Sequence, residues 1–211
     1  LLNPYDKGGE LKSGWVVKTL GNIGKFSKGV GIRKNESLSG ELACIRYGEI
    51  YTKHNDFIKT FYSFISVNVS STAKKLKQGD ILFAGSGETK EDIGKCVAFI
   101  DDIEAYAGGD IVILSPITTD SLFLGYYLNT SVINKEKASK GQGDAIVHIS
   151  STGLAKIEIK IPSDINKQTQ IAQTLTDMDT EITALETKLS KYQKIKQGMM
   201  QNLLTGRIRL V

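Results

Sequence analysis

After Pro162 the apolar residues of this chain fall into a heptad order. Ile171, Leu175, Met178, Ile182, Leu185, Leu189, Tyr192, Met199 and Leu203 are separated by 4, 3, 4, 3, 4, 3, 7 and 4 residues. This spacing predicts one long helix with a coiled-coil seam, interrupted only where Lys196 takes a seam slot. Ser163 or Asp164 can cap its start, and Gly206 can close its end in the left-handed conformation. Asp177, Asp179, Glu181 and Glu186 sit in the first half and Lys188, Lys191, Lys194 and Lys196 in the second, the order that a helix dipole favours. At ~1.5 Å per residue, roughly 38 residues make a rod of about 57 Å. The chain holds no second segment of this kind to pack against it. An uncovered Leu/Ile/Met seam is a large apolar liability, so a second polypeptide is expected to cover it.

Before Pro162 the pattern is that of a β-rich domain. Short apolar or alternating runs recur at 15–20, 42–52, 64–69, 80–85, 95–100, 110–116 and 155–162, punctuated by Gly, Asn, Asp and Ser. In AKIEIKIP (155–162), Ile157, Ile159 and Ile161 share one face while Lys156, Glu158 and Lys160 share the other, as in a half-buried strand. One helix, near 120–138, interrupts the strands with a stripe of Leu122, Tyr126 and Ile133. The expected fold class is α+β: a mixed, β-rich domain over 1–162, then a long helix and tail over 163–211.

Composition narrows the classes further. No run approaches the ~20 apolar residues of a membrane span, and no N-terminal signal pattern is evident. Cys44 and Cys96 lie apart in apolar contexts, as expected of reduced core cysteines in a cytoplasmic protein. With no CxxC and only His54 and His148, a zinc site is not expected, nor is a Ser/His/Asp triad. The net charge of +4 divides evenly about Ser163, so neither part is a polycation. Any nucleic-acid surface must be a local patch.

The stretch AGSGETKEDIGK (84–95) invites a phosphate-loop reading, which fails. Six residues rather than four separate Gly87 from Gly94, Cys96 stands where a magnesium-binding hydroxyl belongs, and the next segment reads as a strand rather than a helix. A dinucleotide fingerprint fails because Lys90 stands where the third glycine should be. What remains is a polar loop between two strands. It offers Ser86, Glu88, Thr89 and Lys90, which can reach phosphates and base edges. That chemistry suits an ordinary hairpin equally.

The tail KLSKYQKIKQGMMQNLLTGRIRL (188–210) resembles the long helical region of the specificity subunits of type I restriction-modification enzymes. The resemblance is carried by Gly198-Met199-Met200-Gln201-Asn202-Leu203-Leu204-Thr205-Gly206-Arg207-Ile208-Arg209. HISSTGLAKIEIKIP (148–162) with QTQIAQTL (168–175) is similar to the family's hinge from recognition domain to helix, though Pro162-Ser163 and Lys167-Gln168 depart from its usual Pro-Pro and Glu-Gln. WVVKTLGNIGKFSKGVGI (15–32) is similar to the opening of a target recognition domain, and CIRYGEIYT (44–52), ILFAGSGET (81–89) and YAGGDIVIL (106–114) to one subclass of it.

The family carries two recognition domains and two antiparallel helices, whereas this sequence has one of each. The resemblance therefore implies a half-subunit, or a piece of a longer protein. It implies binding to double-stranded DNA without catalysis and pairing as a homodimer through the helix. It also implies docking of methyltransferase subunits, with restriction subunits able to join. S-adenosylmethionine, ATP and magnesium would belong to those partners, and the chain itself would need no cofactor. No DPPY- or NPPF-like methyltransferase stretch occurs.

The DNA-contact residues expected are Arg33, Lys34, Arg46, Tyr47, Tyr51, Ser86, Glu88, Thr89, Lys90, Lys135, Lys137, Lys140, Gln142 and His148. Arg46 is a candidate bidentate reader of guanine, worth ~1–3 kcal/mol of discrimination. The lysines suit phosphates and would set salt dependence. Two other readings are the recognition subunit of a related type II restriction-modification enzyme and a coiled-coil interaction protein without DNA binding.

Overall fold

The computed structural model describes residues 2–143 and 146–207. Ile208, Arg209 and Leu210 of the tail motif lie outside the described residues. The chain divides into two compact units, Leu1–Ala172 and Gln173–Val211.

The first unit is built on four antiparallel strands in the order β2-β10-β6-β8: β2 (Gly24–Lys28), β10 (Ile111–Pro116), β6 (Ile81–Ala84) and β8 (Cys96–Ala98). The short apolar runs at β6, β8 and β10 are explained by burial of both faces. Side chains alternate across a strand. Ile81, Phe83, Cys96, Ala98, Val112 and Leu114 enter one core, and Leu82, Ala84, Val97, Ile111 and Ile113 enter the other. The second core is closed by a mixed sheet, β4-β3-β9-β5, made of β4 (Ser63–Ile65), β3 (Leu42–Ile45), β9 (Ala105–Ala107) and β5 (Lys74–Lys75). The first core is closed by helices, including α1 (Leu20–Ile23), and by the ribbon of β1 (Trp15–Thr19) with β12 (Glu158–Pro162). As the alternation predicts, Ile157, Ile159 and Ile161 are buried there. A two-residue ribbon joins β7 (Ser86–Gly87) to β11 (Val147–His148).

Three expectations about elements are corrected. The run 42–52 is not one strand: β3 ends at Ile45 and a helix, α2 (Tyr47–Thr52), follows. Its β-forming tyrosines are overridden by a cap, since the Glu49 carboxylate accepts the Arg46 backbone N–H at 2.9 Å. The run 64–69 likewise turns from β4 into α3 (Val67–Ser70), where the Ser66 hydroxyl accepts from the Val69 amide. The helix near 120–138 is two, α4 (Ser121–Tyr127) and α5 (Ser131–Lys140), and the short α6 (Ser151–Ala155) comes later. Asn129, between α4 and α5, donates to the carbonyls of Cys96 and Gly125 and accepts from the Cys96 amide, so its side chain is spent on β8 and the chain bends.

The long helix, α7 (Ile165–Leu204), starts where the period changes. The Asp164 carboxylate accepts from the Asn166 amide, and Gly206 stands at φ 71° just past the end. Its first turns belong to the first unit. Ala172 and the half-buried Ile171 pack into the first core. Gln168, 1% exposed, donates to the Pro162 carbonyl at 2.7 Å and accepts from the Asp120 amide at 2.9 Å. In the second unit Met178, Ile182, Leu185, Leu189, Tyr192 and Met199 are each 51–58% exposed, while Leu175 and Leu203 are half-buried. The seam is thus a surface stripe, but Ile171 at its head is committed to the domain core. No helix among the described residues is long and apolar enough to cross a membrane.

Both cysteines are buried thiols, and burial pushes Cys44 up to about 12 and Cys96 up to about 11. Gln168→Ala would strand the Asp120 amide and the Pro162 carbonyl together. We expect it to lower stability by about 1–3 kcal/mol, read from the urea unfolding midpoint. An unchanged midpoint would show that this link contributes nothing.

Candidate nucleic-acid interface

The polar stretches of the first unit converge on one region, held by backbone hydrogen bonds between segments distant in sequence. Val30 donates to the Ala107 carbonyl at 3.3 Å and Gly108 to Ile45 at 2.9 Å. Gly85 donates to Asp110 at 2.7 Å, and Ile149 to Gly85 at 2.9 Å. Glycine is required at the closest approach, because a Cβ on Gly29 would lie 2.0 Å from the Gly108 carbonyl oxygen. Ile32 stands at φ 48°, a strained conformation for a β-branched residue, and its side chain is buried with Cys44, Ile65 and Tyr106. Packing therefore holds the turn from which Arg33 and Lys34 emerge, both exposed.

Four expected contact residues line one cleft of about 520 Å³: Tyr47, Tyr51, Ser86 and Glu88, joined by Asp92 and Ile146. The Tyr51 hydroxyl donates to the Ser86 carbonyl at 3.1 Å, tying α2 to the glycine stretch. Burial, with the Asp92 carboxylate as a lesser cause, pushes that hydroxyl up to about 12. Arg46 is half-buried at the head of α2. The Glu49 carboxylate beside it is occupied by the Arg46 amide and the Ser63 hydroxyl. Among the described residues, Arg33, Lys34, Arg46, Lys90, Lys135 and Lys140 form no ion pair, so these cations are available to an anion.

Gln142 and His148 are exposed and exchange a pair of backbone hydrogen bonds at 2.9 and 2.8 Å. His148 lies in register with Ser86, and its Nδ1 is 2.9 Å from the Ser86 hydroxyl. It also borders a second cleft, of about 280 Å³, with Lys28, Asp110 and Ser150. The glycine stretch is therefore pinned rather than free, since Ser86 and Gly87 pair with β11. Glu88 and Lys90 are exposed. Thr89 is exposed as well, and its hydroxyl donates to Asp92 at 2.9 Å within the same loop.

Lys137 is the clear correction. It is 0% exposed, and its ammonium donates to the Gly94 carbonyl at 2.7 Å, so it supports the loop from within. Lys135 on the same helix is exposed and Lys140 half-buried. Sequence reasoning also missed Lys95, whose Nζ donates to the carbonyls of His54 at 2.7 Å and Tyr51 at 3.3 Å and fastens the end of α2. Burial holds both Lys95 and the neighbouring His54 below their ordinary values. The only hint in the sequence was a lysine beside the apolar run CVAFI. No group of three or more His, Cys, Asp or Glu among the described residues is arranged to hold a metal ion.

The first unit is a β-rich domain with polar loops, and a helix bearing an exposed apolar seam follows it. Residues 12–197 match the model of the type I restriction modification DNA specificity domain, and the chain belongs to that family. It is 23% identical over 205 residues to the EcoKI specificity subunit of Escherichia coli K12, covering 95% of this chain and 44% of that protein. It is 24% identical over 216 residues to the MjaVIII specificity subunit of Methanocaldococcus jannaschii, covering 96% and 48%. Its fold matches the S subunit of a type I system from M. genitalium with a TM-score of 0.59 at 17% identity, covering 92% of this chain and 47% of that one. It also matches the HsdS subunit of Thermoanaerobacter tengcongensis with a TM-score of 0.59 at 16% identity, covering 93% and 46%. The chain spans about half the length of the relatives it matches.

Burial holds the Lys137 ammonium below its usual 10.5. The native state thus binds this proton less readily than the unfolded chain does. The resulting cost is absent above about pH 10.5 and grows as pH falls through the window below it. Lys137→Met should therefore gain stability relative to the wild type as pH is lowered from 10.5 towards 7, in paired urea titrations. Loss of the Gly94 bond shifts the level of that difference but not its slope. Parallel curves would show that Lys137 is not desolvated.

Proposed function

We propose that this chain is a non-catalytic DNA-specificity module of a type I restriction-modification system and reads one half of a bipartite duplex site. The carrying observation is the Tyr47–Tyr51–Ser86–Glu88 cleft on a helix that Arg46 heads, in a chain of the specificity-domain family; among the described residues Arg33, Lys34 and Arg46 form no ion pair. Aromatic and carboxylate groups can discriminate base edges, and unpaired lysines and arginines supply the salt-dependent hold on phosphates. Methylation and cleavage then belong to other subunits, which bring S-adenosylmethionine, ATP and magnesium. The adenine to be methylated must leave the stack and enter the methyltransferase pocket.

The exposed seam is read as the spacer of the assembly. A second copy laid antiparallel sets Asp177, Asp179, Glu181 and Glu186 of one helix against Lys188, Lys191, Lys194 and Lys196 of the other. Seam burial and charge then favour the same pairing. Such a homodimer carries two recognition domains about a two-fold axis and suits an inverted-repeat site. Methyltransferase subunits, and restriction subunits with them, are proposed to dock along the helix pair.

Arg46→Ala should relax base preference at one position more than it lowers total affinity, in selection from a random-sequence duplex pool. A uniform loss across all sequences would assign Arg46 to phosphate. Leu185→Glu with Leu189→Glu should convert a sedimenting dimer to a monomer while the β-rich domain keeps its thermal transition. An unchanged oligomer would mean that this stripe is not the interface.

A further inference from the structure

Ser86 and His148 are 62 residues apart, and the fold makes them partners. They face each other in the β7-β11 ribbon, with Ser86 Oγ 2.9 Å from His148 Nδ1. Ser86 is 6% exposed, whereas His148 is an exposed residue. Among the described residues the Ser86 hydroxyl has no other partner. A buried hydroxyl whose proton meets no acceptor is costly, so this proton goes to Nδ1. A ring that accepts at Nδ1 carries its own proton on Nε2. Nε2 has no hydrogen-bond partner among the described residues.

The support beneath this pair is rigid. Tyr51 Oη donates to the Ser86 carbonyl, and Gln142 brackets His148 with two backbone bonds. At Gly87, the next residue of β7, a Cβ would lie 2.8 Å from Tyr51 Oη, so any larger residue would have to displace that hydroxyl.

We propose that Ser86 is a positioning residue that locks His148 in its Nε2–H form, making His148 a one-way hydrogen-bond donor aimed at an acceptor on the duplex. This rests on the DNA-binding reading above. The acceptors it fits are purine N7, guanine O6, thymine O4 or a phosphate oxygen, while the amino group of cytosine, itself a donor, is rejected. Neither residue needs to change charge for this to work.

Two measurements test it. On DNA-free protein at a pH where the ring is neutral, histidine 15N shifts should show His148 protonated at Nε2. Ser86→Ala should move that ring to a tautomer mixture, and Ser86→Thr, which keeps the hydroxyl, should restore it. A wild-type ring protonated at Nδ1, or an unchanged tautomer in Ser86→Ala, overturns the proposal without reference to DNA. In random-duplex selection, His148→Ala and Ser86→Ala should each lose about tenfold preference at the same single base pair. Equal weakening at every sequence identifies the acceptor as phosphate. Unchanged binding in both variants overturns the donor role. If the wild-type protein itself retains no sequence, the parent reading fails, and the shifts still decide the role of Ser86.

Discussion

Both faces of strands β6, β8 and β10 are buried, and this governs where polarity can go. Alternate side chains of β6, β8 and β10 feed two separate cores, so these strands have no solvent face on which a functional group could stand. Polar and charged side chains are forced to the ends of strands and into the segments between them. Those segments are stitched together by backbone bonds, such as Gly85 to Asp110 and Gly108 to Ile45. Under the proposed function, recognition is therefore left to loops on a packed scaffold, a common division of labour between binding and stability.

The proposed interface is pinned by buried or half-buried side chains. Tyr51, Lys95 and Lys137 each use a polar side chain on a main-chain carbonyl, and each bond ties one polar segment to another. These groups are partly or wholly desolvated, which is why their protonation is displaced from ordinary values. Arg33, Lys34, Arg46 and His148 are presented from this framework. A preorganised reader loses less conformational entropy on binding and tells similar sequences apart more sharply.

The two units follow different physics. The first packs most of its apolar side chains into its own cores, while the second keeps Met178, Ile182, Leu185, Leu189, Tyr192 and Met199 half in solvent. Gln168, Ile171 and Ala172 commit the first turns of α7 to the domain, so the seam available to a partner begins after them.

Periodicity was legible in the residues alone: the strand expected within 155–162 and found as β12, the change of period after Pro162, the heptad seam and the closing Gly206 all appear as expected. These features depend on neighbours close in sequence, and spacing records them directly. The tail and loop stretches also carried the family resemblance, which the match over residues 12–197 bears out. The turn from β3 into α2 was within reach, since Arg46 and Glu49 stand at capping distance, but Tyr47 and Tyr51 in a β-rich run masked it. The burial of Lys137, the pairing of Ser86 with His148 and the use of Lys95 as a fastener could not be read there. Each depends on which distant segments the sheets bring within hydrogen-bond reach. A lysine in an exposed helix and a lysine beneath a glycine loop look the same until packing removes the water from one of them.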